Sequence, residues 1–182
     1  MFQTVPYNRG QFAVAAENPH LGAHESFIQD KDPNNTIQLR SNSLLRAMWA
    51  QNKTGGGTAI LGSLVLKWAT GFYKAGVVVA GLAEVGCGIS DDFLPSGGVP
   101  DQNWFWIIRE GSVTLTSDGS GALAQGNSLV TAAAGRVKIQ VAAPADATAA
   151  LVQINSKVGT SQGTVAAAAG TKFVAEVHFP VP

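Results

Sequence analysis

The sequence predicts a mainly β protein, a small β-barrel or β-sandwich with an extended N-terminal arm and one short helix. Three observations predict it. From residue 58 onward, short stretches of alternating apolar and polar residues are separated by glycine-containing turns. Before residue 41, prolines and glycines interrupt the chain too often for a regular element, yet large apolar residues are scattered through it. Only 13% of the residues are charged, about half the ~25% of ordinary soluble domains. Such a surface gives little protection against association and suits either a stable low-charge fold or a component of an assembly. The chain divides on this reading into an arm with a short helix, residues 1–57, and a β domain, residues 58–182.

In the arm, Pro6, Gly10, Pro19, Gly22 and Pro33 act as breaks, and Asp30-Lys31-Asp32-Pro33-Asn34-Asn35 is a turn signal. Phe2, Tyr7, Phe12, Leu21, Phe27 and Ile28 lie between the breaks. A disordered tail carries few such residues. They must be buried either on the chain's own domain or on a neighbour, and together with Trp49 they are the candidate interface residues. Leu44, Leu45, Met48 and Trp49 recur at i, i+4 spacing behind Ser41 or Ser43 as a cap, which predicts a helix over about 42–52, ended by Gly55-Gly56-Gly57.

The strands follow in order. Leu64, Leu66 and Trp68 alternate with Val65, Lys67 and Ala69, and Val77 to Ala80 is an apolar run of the kind found in a buried strand. Trp104 to Ile108 is aromatic and β-branched and is bounded by turn residues. Val113 and Leu115 alternate with Thr114 and Thr116 up to the Ser117-Asp118-Gly119 turn. Alternation is clean from Gly135 to Val141. In the last strand Phe173, Ala175, Val177 and Phe179 share one face, with Glu176 and His178 on the other. The alanine-rich stretches 131–134 and 165–169 read as strand or loop, given their glycine and threonine flanks.

Candidate chemistry is sparse. Cys87 is the single cysteine and sits between glycines, so it reads as a small buried hydrophobe with no disulfide partner in the chain. His20, His24 and Glu25 are split by Gly22, which argues against a ligand face on one helix. Asp30, Asp32 and Asn34 mimic the start of a calcium loop, but Asn35 stands where glycine is needed and Ser41 where the bidentate glutamate belongs. Asp91-Asp92 reads as a loop whose carboxylates point apart. Gly55-Gly56-Gly57-Thr58 lacks the lysine of a phosphate loop, and no Gly-x-Ser-x-Gly elbow occurs. No metal, no cofactor and no catalytic residue is expected, and the chain reads as a non-enzyme. The sequons at Asn34 and Asn52 matter only in a secreted protein.

Twelve basic and twelve acidic residues give a formal net charge of zero, so neither nucleic acid nor an anionic membrane is an expected partner. No apolar run approaches the ~20 residues of a membrane helix. The start lacks the pattern of a secretory signal, so synthesis in a cytoplasm and solubility there are expected. Trp104 and Trp106 share one strand face. They form either core, an oligomer anchor, or a sugar-stacking platform if they face solvent.

In order and texture, residues 58–182 resemble the capsid decoration, or cement, proteins of tailed bacteriophages. The likeness runs through Gly81-Leu82-Ala83-Glu84-Val85-Gly86, then Trp104 to Gly111, then Ala124-Gln125-Gly126-Asn127-Ser128-Leu129-Val130. It continues through Gly135-Arg136-Val137 and Val158-Gly159-Thr160 to the closing Phe179-Pro180-Val181-Pro182. Residues 1–57 have no counterpart in it. The resemblance implies a small β-barrel or sandwich, a homotrimer, seated on the outer surface of a virion head. There it would bridge neighbouring subunits of the major capsid protein and stabilise the capsid. An arm of this composition suits such a place, because it can lie across an adjacent subunit and add a strand to an open edge. The alternatives are a carbohydrate-binding or adhesion module on the virion surface, a tail or baseplate structural protein, and, last, a small hydrolase.

Overall fold

The computed structural model describes residues 12–13, 24–29, 43–73, 75–140 and 145–179, with side chains described from Leu45 onward. The chain is mainly β, as its sequence predicts. Its strands are β1 (Phe12–Ala13), β2 (His24–Gln29), β3 (Ser43–Asn52), β4 (Val65–Trp68), β5 (Gly76–Val79), β6 (Gly88–Ser90), β7 (Trp104–Thr116), β8 (Ser128–Thr131), β9 (Val137–Ile139), β10 (Lys157–Ser161) and β11 (Lys172–His178). Among the described residues one α-helix, α1 (Ala147–Asn155), precedes β10, and a single 3-10 turn covers Ala133–Gly135.

Strand β7 organises the molecule. Its N-terminal half pairs antiparallel with β3, from Gln51↔Trp104 to Arg46↔Glu110, and its other edge takes β1 and β6. Pairing then runs β6–β4, β4–β5 and β5–β3, the last of these parallel, so five strands close on themselves. The C-terminal half of β7 pairs with β11, and β11–β10, β10–β8 and β8–β9 follow. A parallel bridge from Val137 to Ser117, just past the end of β7, returns this second set to its start. Two small rings therefore share one strand.

Side-chain alternation along β7 fills both rings. Phe105 and Ile107 enter the first, where they meet Met48, Ala50, Ile60, Leu66, Val77 and Val99. Val113 and Leu115 enter the second, with Leu129, Val137, Val158, Phe173, Ala175 and Val177. Phe179 and Ile108 belong to the same cluster, which also takes in Leu45, Val65 and Ile89 from the first set of strands, so one core continues into the other. Each fully buried large aliphatic or aromatic side chain contributes roughly 1.5–3 kcal/mol of transfer free energy.

Three expectations change. The helix expected over about 42–52 is strand β3, and it is integral to the first ring. Both of its faces are buried, with Met48 and Ala50 inside the ring and Ala47 and Trp49 on the opposite face. A strand buried on both sides loses its two-residue signature, and what remained passed for helical spacing. Among the described residues the α-helix instead lies at 147–155. Asp146 caps it, its carboxylate accepting a hydrogen bond from the Ala149 amide at 2.7 Å. Finally, the turn expected after Ile108 is absent. Gly111 adopts a φ of 115°, which keeps β7 running through Glu110 and Ser112 as one 13-residue strand. Strands β4, β5, β7, β9 and β11 appear where the sequence pattern put them, whereas β6, β8 and β10 were not read from alternation. Strands β1 and β2 fall in the arm expected to hold no regular element, and the alanine-rich stretches are strand ends, bends and one 3-10 turn.

Candidate interaction surface

The candidate interface residues separate into three groups. Phe2, Tyr7 and Leu21 lie outside the described residues. Phe12 is in β1, its backbone opposite Phe105, while Phe27 and Ile28 are in β2, opposite Leu45 and Leu44. The described parts of the arm thus add strands to the chain's own sheet. Trp49 is 2% exposed. It is the cross-strand partner of Trp106, and the two rings meet edge to face with centroids 5.1 Å apart.

Trp104 and Trp106, at 5% and 1% exposure, present no platform on which a sugar could stack. The indole N–H groups of Trp49 and Trp104 are buried without an acceptor. Leaving such a donor unmet costs about 1–3 kcal/mol, an expense that only a large gain in buried area offsets. This face is structural.

Polar side chains are likewise spent on architecture. Asn52 is fully buried at the end of β3. Its amide nitrogen donates to the Thr58 carbonyl at 3.0 Å and the Val99 carbonyl at 2.9 Å, and its oxygen accepts from the Thr54 amide and hydroxyl at 2.9 and 2.7 Å. All four bonds hold the glycine loop 55–57 against the Ile60–Val99 bridge. The buried amide is closed to glycan attachment.

Asp91 and Asp92 do point to different partners. Asp91 accepts from the Phe93 amide at 3.1 Å, and Asp92 accepts from the Thr114 hydroxyl at 2.7 Å. Cys87 is buried, and burial pushes its thiol well up, away from the reactive thiolate. Arg109 is buried as well, its guanidinium 3.8 Å from the Met48 sulfur and over the Trp68 ring at 5.9 Å, and desolvation lowers its pKa. His178 stands on the outer face of β11, its Nδ1 3.6 Å from Glu110, which also pairs with Arg46 at 3.3 Å. Among the described residues no group of three His, Cys, Asp or Glu could hold a metal ion.

What the described surface does offer is apolar. The exposed large hydrophobic residues form two groups. Leu61, Phe72 and Tyr73 belong to the turns of the first ring, and Leu82, Val85, Leu151, Val152 and Ile154 to the 81–86 loop and α1. The second group is the larger. Helix α1 buries none of its nine residues and carries no charged side chain, although Ile154 is 64% exposed. A helix without charge normally lies within a core. The loop beside it is stapled by Glu84, which accepts from the Gly81 amide and pairs with Lys67 at 2.5 Å; these bonds hold the carboxyl below its ordinary pKa.

Between α1 and the second ring lies a cleft of ≈ 420 Å³, lined by Leu82, Ala83, Val130, Ile139, Val152 and Gln153 among others. Sequence reasoning missed this surface, though Asp146 followed by Ala147-Thr148-Ala149-Ala150-Leu151 was a readable helix start.

The fold is that of a β protein with two exposed apolar patches. No protein-family model matches the chain, and no curated protein matches it. Among solved structures, the N base of the head fiber gp8.5 of bacteriophage phi29 is similar to it. That likeness has a TM-score of 0.47 and 10% sequence identity, and covers 73% of this chain and 93% of the other.

Proposed function

We propose that the chain is a non-enzymatic structural protein of a tailed-phage virion, a decoration protein bound to the outer face of the head that bridges neighbouring major capsid subunits. The observation that carries an assembly role is the uncovered apolar face of α1 and the 81–86 loop. A nine-residue helix with no charge and no buried side chain gains its stability from whatever covers it. The resemblance of residues 58–182 to decoration proteins supports the place, and the low overall charge supports a life inside an assembly. Attachment at many equivalent sites multiplies weak individual contacts.

Residues 1–40 are assigned the contact with the shell. Since β1 and β2 complete the chain's own sheet, that contact falls to what lies beyond them, beginning with Phe2 and Tyr7. The test is an electron-microscopy map of particles carrying the chain, alongside particles carrying a variant lacking residues 2–11. Density on the outer head surface that thins in the deletion supports the reading. Density on the tail, or none on the particle, overturns it, and full occupancy of the deletion overturns the role of the arm.

A further inference from the structure

A sugar ring presents a flat C–H face and a rim of hydroxyls, each able both to donate and to accept a hydrogen bond. A site for one needs an aromatic ring in solvent with polar side chains fixed beside it. Trp104 and Trp106 fail the first requirement, because they are buried. The turn between β4 and β5 meets it.

That turn is tied by the Phe72 N–H to the Ala69 carbonyl at 2.9 Å, and by the Ala75 and Gly76 N–H groups to the Phe72 carbonyl at 2.9 and 2.8 Å. It holds out Phe72 and Tyr73, the latter 63% exposed. Trp68 meets the Tyr73 ring edge to face, with centroids 5.8 Å apart, and so fixes its orientation.

A polar strip begins at the same turn. The Lys53 ammonium lies over the Phe72 ring at 4.7 Å and donates to the Gln102 Oε1 at 2.6 Å. The Gln102 Nε2 donates in turn to Asp101 at 3.1 Å. Backbone amides, that of Gly55 first, hold the Asp101 carboxyl below its ordinary pKa, so it stays an acceptor at neutral pH. Gln102 itself has a φ of 65°, a left-handed backbone that glycine adopts without strain. Its N–H donates to the Asn52 carbonyl at 2.9 Å and its carbonyl accepts from the Gln51 side chain at 2.5 Å. A glutamine kept where glycine fits better points to a use for its side chain. Lys53 and Asp101 carry opposite charges at the two ends of the strip, so it selects for neither anion nor cation. Ammonium, amide and carboxylate in a row offer the mixture of donors and acceptors that neighbouring hydroxyls match.

We propose that the Phe72–Tyr73 turn and the Lys53–Gln102–Asp101 strip form a binding site for a neutral hexopyranose glycan, the sugar face stacking on Tyr73 and the hydroxyls bonding along the strip. The site belongs to the first ring, whereas α1 lies against the second. Its affinity is a property of the isolated chain and does not depend on the reading of the chain as a head protein, so the two fail separately. One stacked ring and a short strip give weak binding per site, which an assembly of many copies would multiply.

NMR titration of isotope-labelled full-length chain with cellohexaose, maltohexaose and chitohexaose tests it. Saturable shifts are expected with at least one of them, centred on the amides of 53–55, 70–76 and 101–103. Tyr73→Ala should weaken that binding roughly 10-fold or more, as for loss of an aromatic anchor, while Tyr73→Trp should keep it. Gln102→Gly suits the left-handed backbone, so it should fold as the wild type does, by circular dichroism and thermal melts, and yet bind more weakly. It carries the test if Tyr73→Ala does not fold. Raising the ionic strength should leave the affinity unchanged, because the ligand has no charge to screen. The proposal is overturned by the absence of saturable shifts with all three sugars, or by shifts centred elsewhere. Wild-type affinity in folded Tyr73→Ala or in Gln102→Gly overturns it as well, and so does an affinity that falls steeply with salt.

Discussion

The tryptophan face of β3 and β7 and the face around α1 are both rich in apolar side chains, yet the chain treats them oppositely. Trp49, Trp104 and Trp106 are buried on the two strands of most extensive pairing, while Leu82, Val85, Leu151 and Ile154 stand in solvent on a loop and a short helix. The difference lies in what surrounds each set. A strand in the middle of a sheet is flanked on both edges and covered on both faces, so its side chains are paid for by folding itself. Helix α1 has no neighbour that covers it among the described residues, so its uncharged apolar side chains stay in solvent. Aromatic density marks the frame here, and the plainer aliphatic patch stays at the surface.

The largest break in the comparison is Trp106→Ala. It removes the ring that packs against Trp49 and opens a cavity between the central strands. The expected loss is about 3–5 kcal/mol, read as a lower midpoint in urea unfolding. A loss below about 1 kcal/mol would place the indole on a surface, contrary to its burial.

Asn52→Ala comes next. It strands the Thr58 carbonyl and the Thr54 amide without their partner and takes one of two donors from the Val99 carbonyl, which keeps the Ile60 amide. About 1–3 kcal/mol is expected to go, together with faster hydrogen exchange in the 53–58 loop. Exchange unchanged there, with the midpoint lowered, would mean that the amide holds something other than this loop.

Glu84 sharpens the comparison by pH. Its folded pKa is lowered, by the Lys67 hydrogen bond first and then by the Gly81 amide. A lowered pKa means stability that is complete above the ordinary carboxylate range and is lost as pH falls through the depressed folded value. The two side chains are 34% and 37% exposed and so screened by solvent, and the loss lies at the low end of roughly 0.2–1 kcal/mol. Glu84→Gln should already lack that contribution at neutral pH and show a flatter decline between neutrality and acid. Glu176 has the opposite sign. Desolvation raises its pKa, so the ionised form weighs against the fold as pH rises past that value. An identical acid profile in wild type and Glu84→Gln would remove Glu84 as the staple of the 81–86 loop.

How much of this was legible in the sequence follows from burial. Strand β11 faces the core on one side and water on the other, so its alternation named every inward residue from Phe173 to Phe179. Strand β3 is covered on both faces, which erases the alternation and left a spacing that resembles a helix. Helix α1 escaped notice for a related reason. Ala147 to Asn155 has no polar face against which an apolar stripe stands out, and only Asp146 announced it. The cleft beside it depends on loop 81–86, strands β8 and β9 and the helix meeting in space, residues some 70 positions apart at the extremes. No local pattern encodes that meeting.

The smallest expected effect is the most telling. Ile154→Lys replaces a residue as large and apolar as many in the core, but one that is 64% exposed near the C-terminal end of α1. Nothing buried is lost, and a cation near a helix C-terminus is favourable. Stability should therefore change by no more than about 0.5 kcal/mol. A shift beyond about 1 kcal/mol would mean that α1 is packed into its own domain as firmly as the tryptophans are. The contrast between the two faces would then be one of degree. With stability held and Trp106→Ala costing several times more, apolar content and structural necessity are separated within one chain.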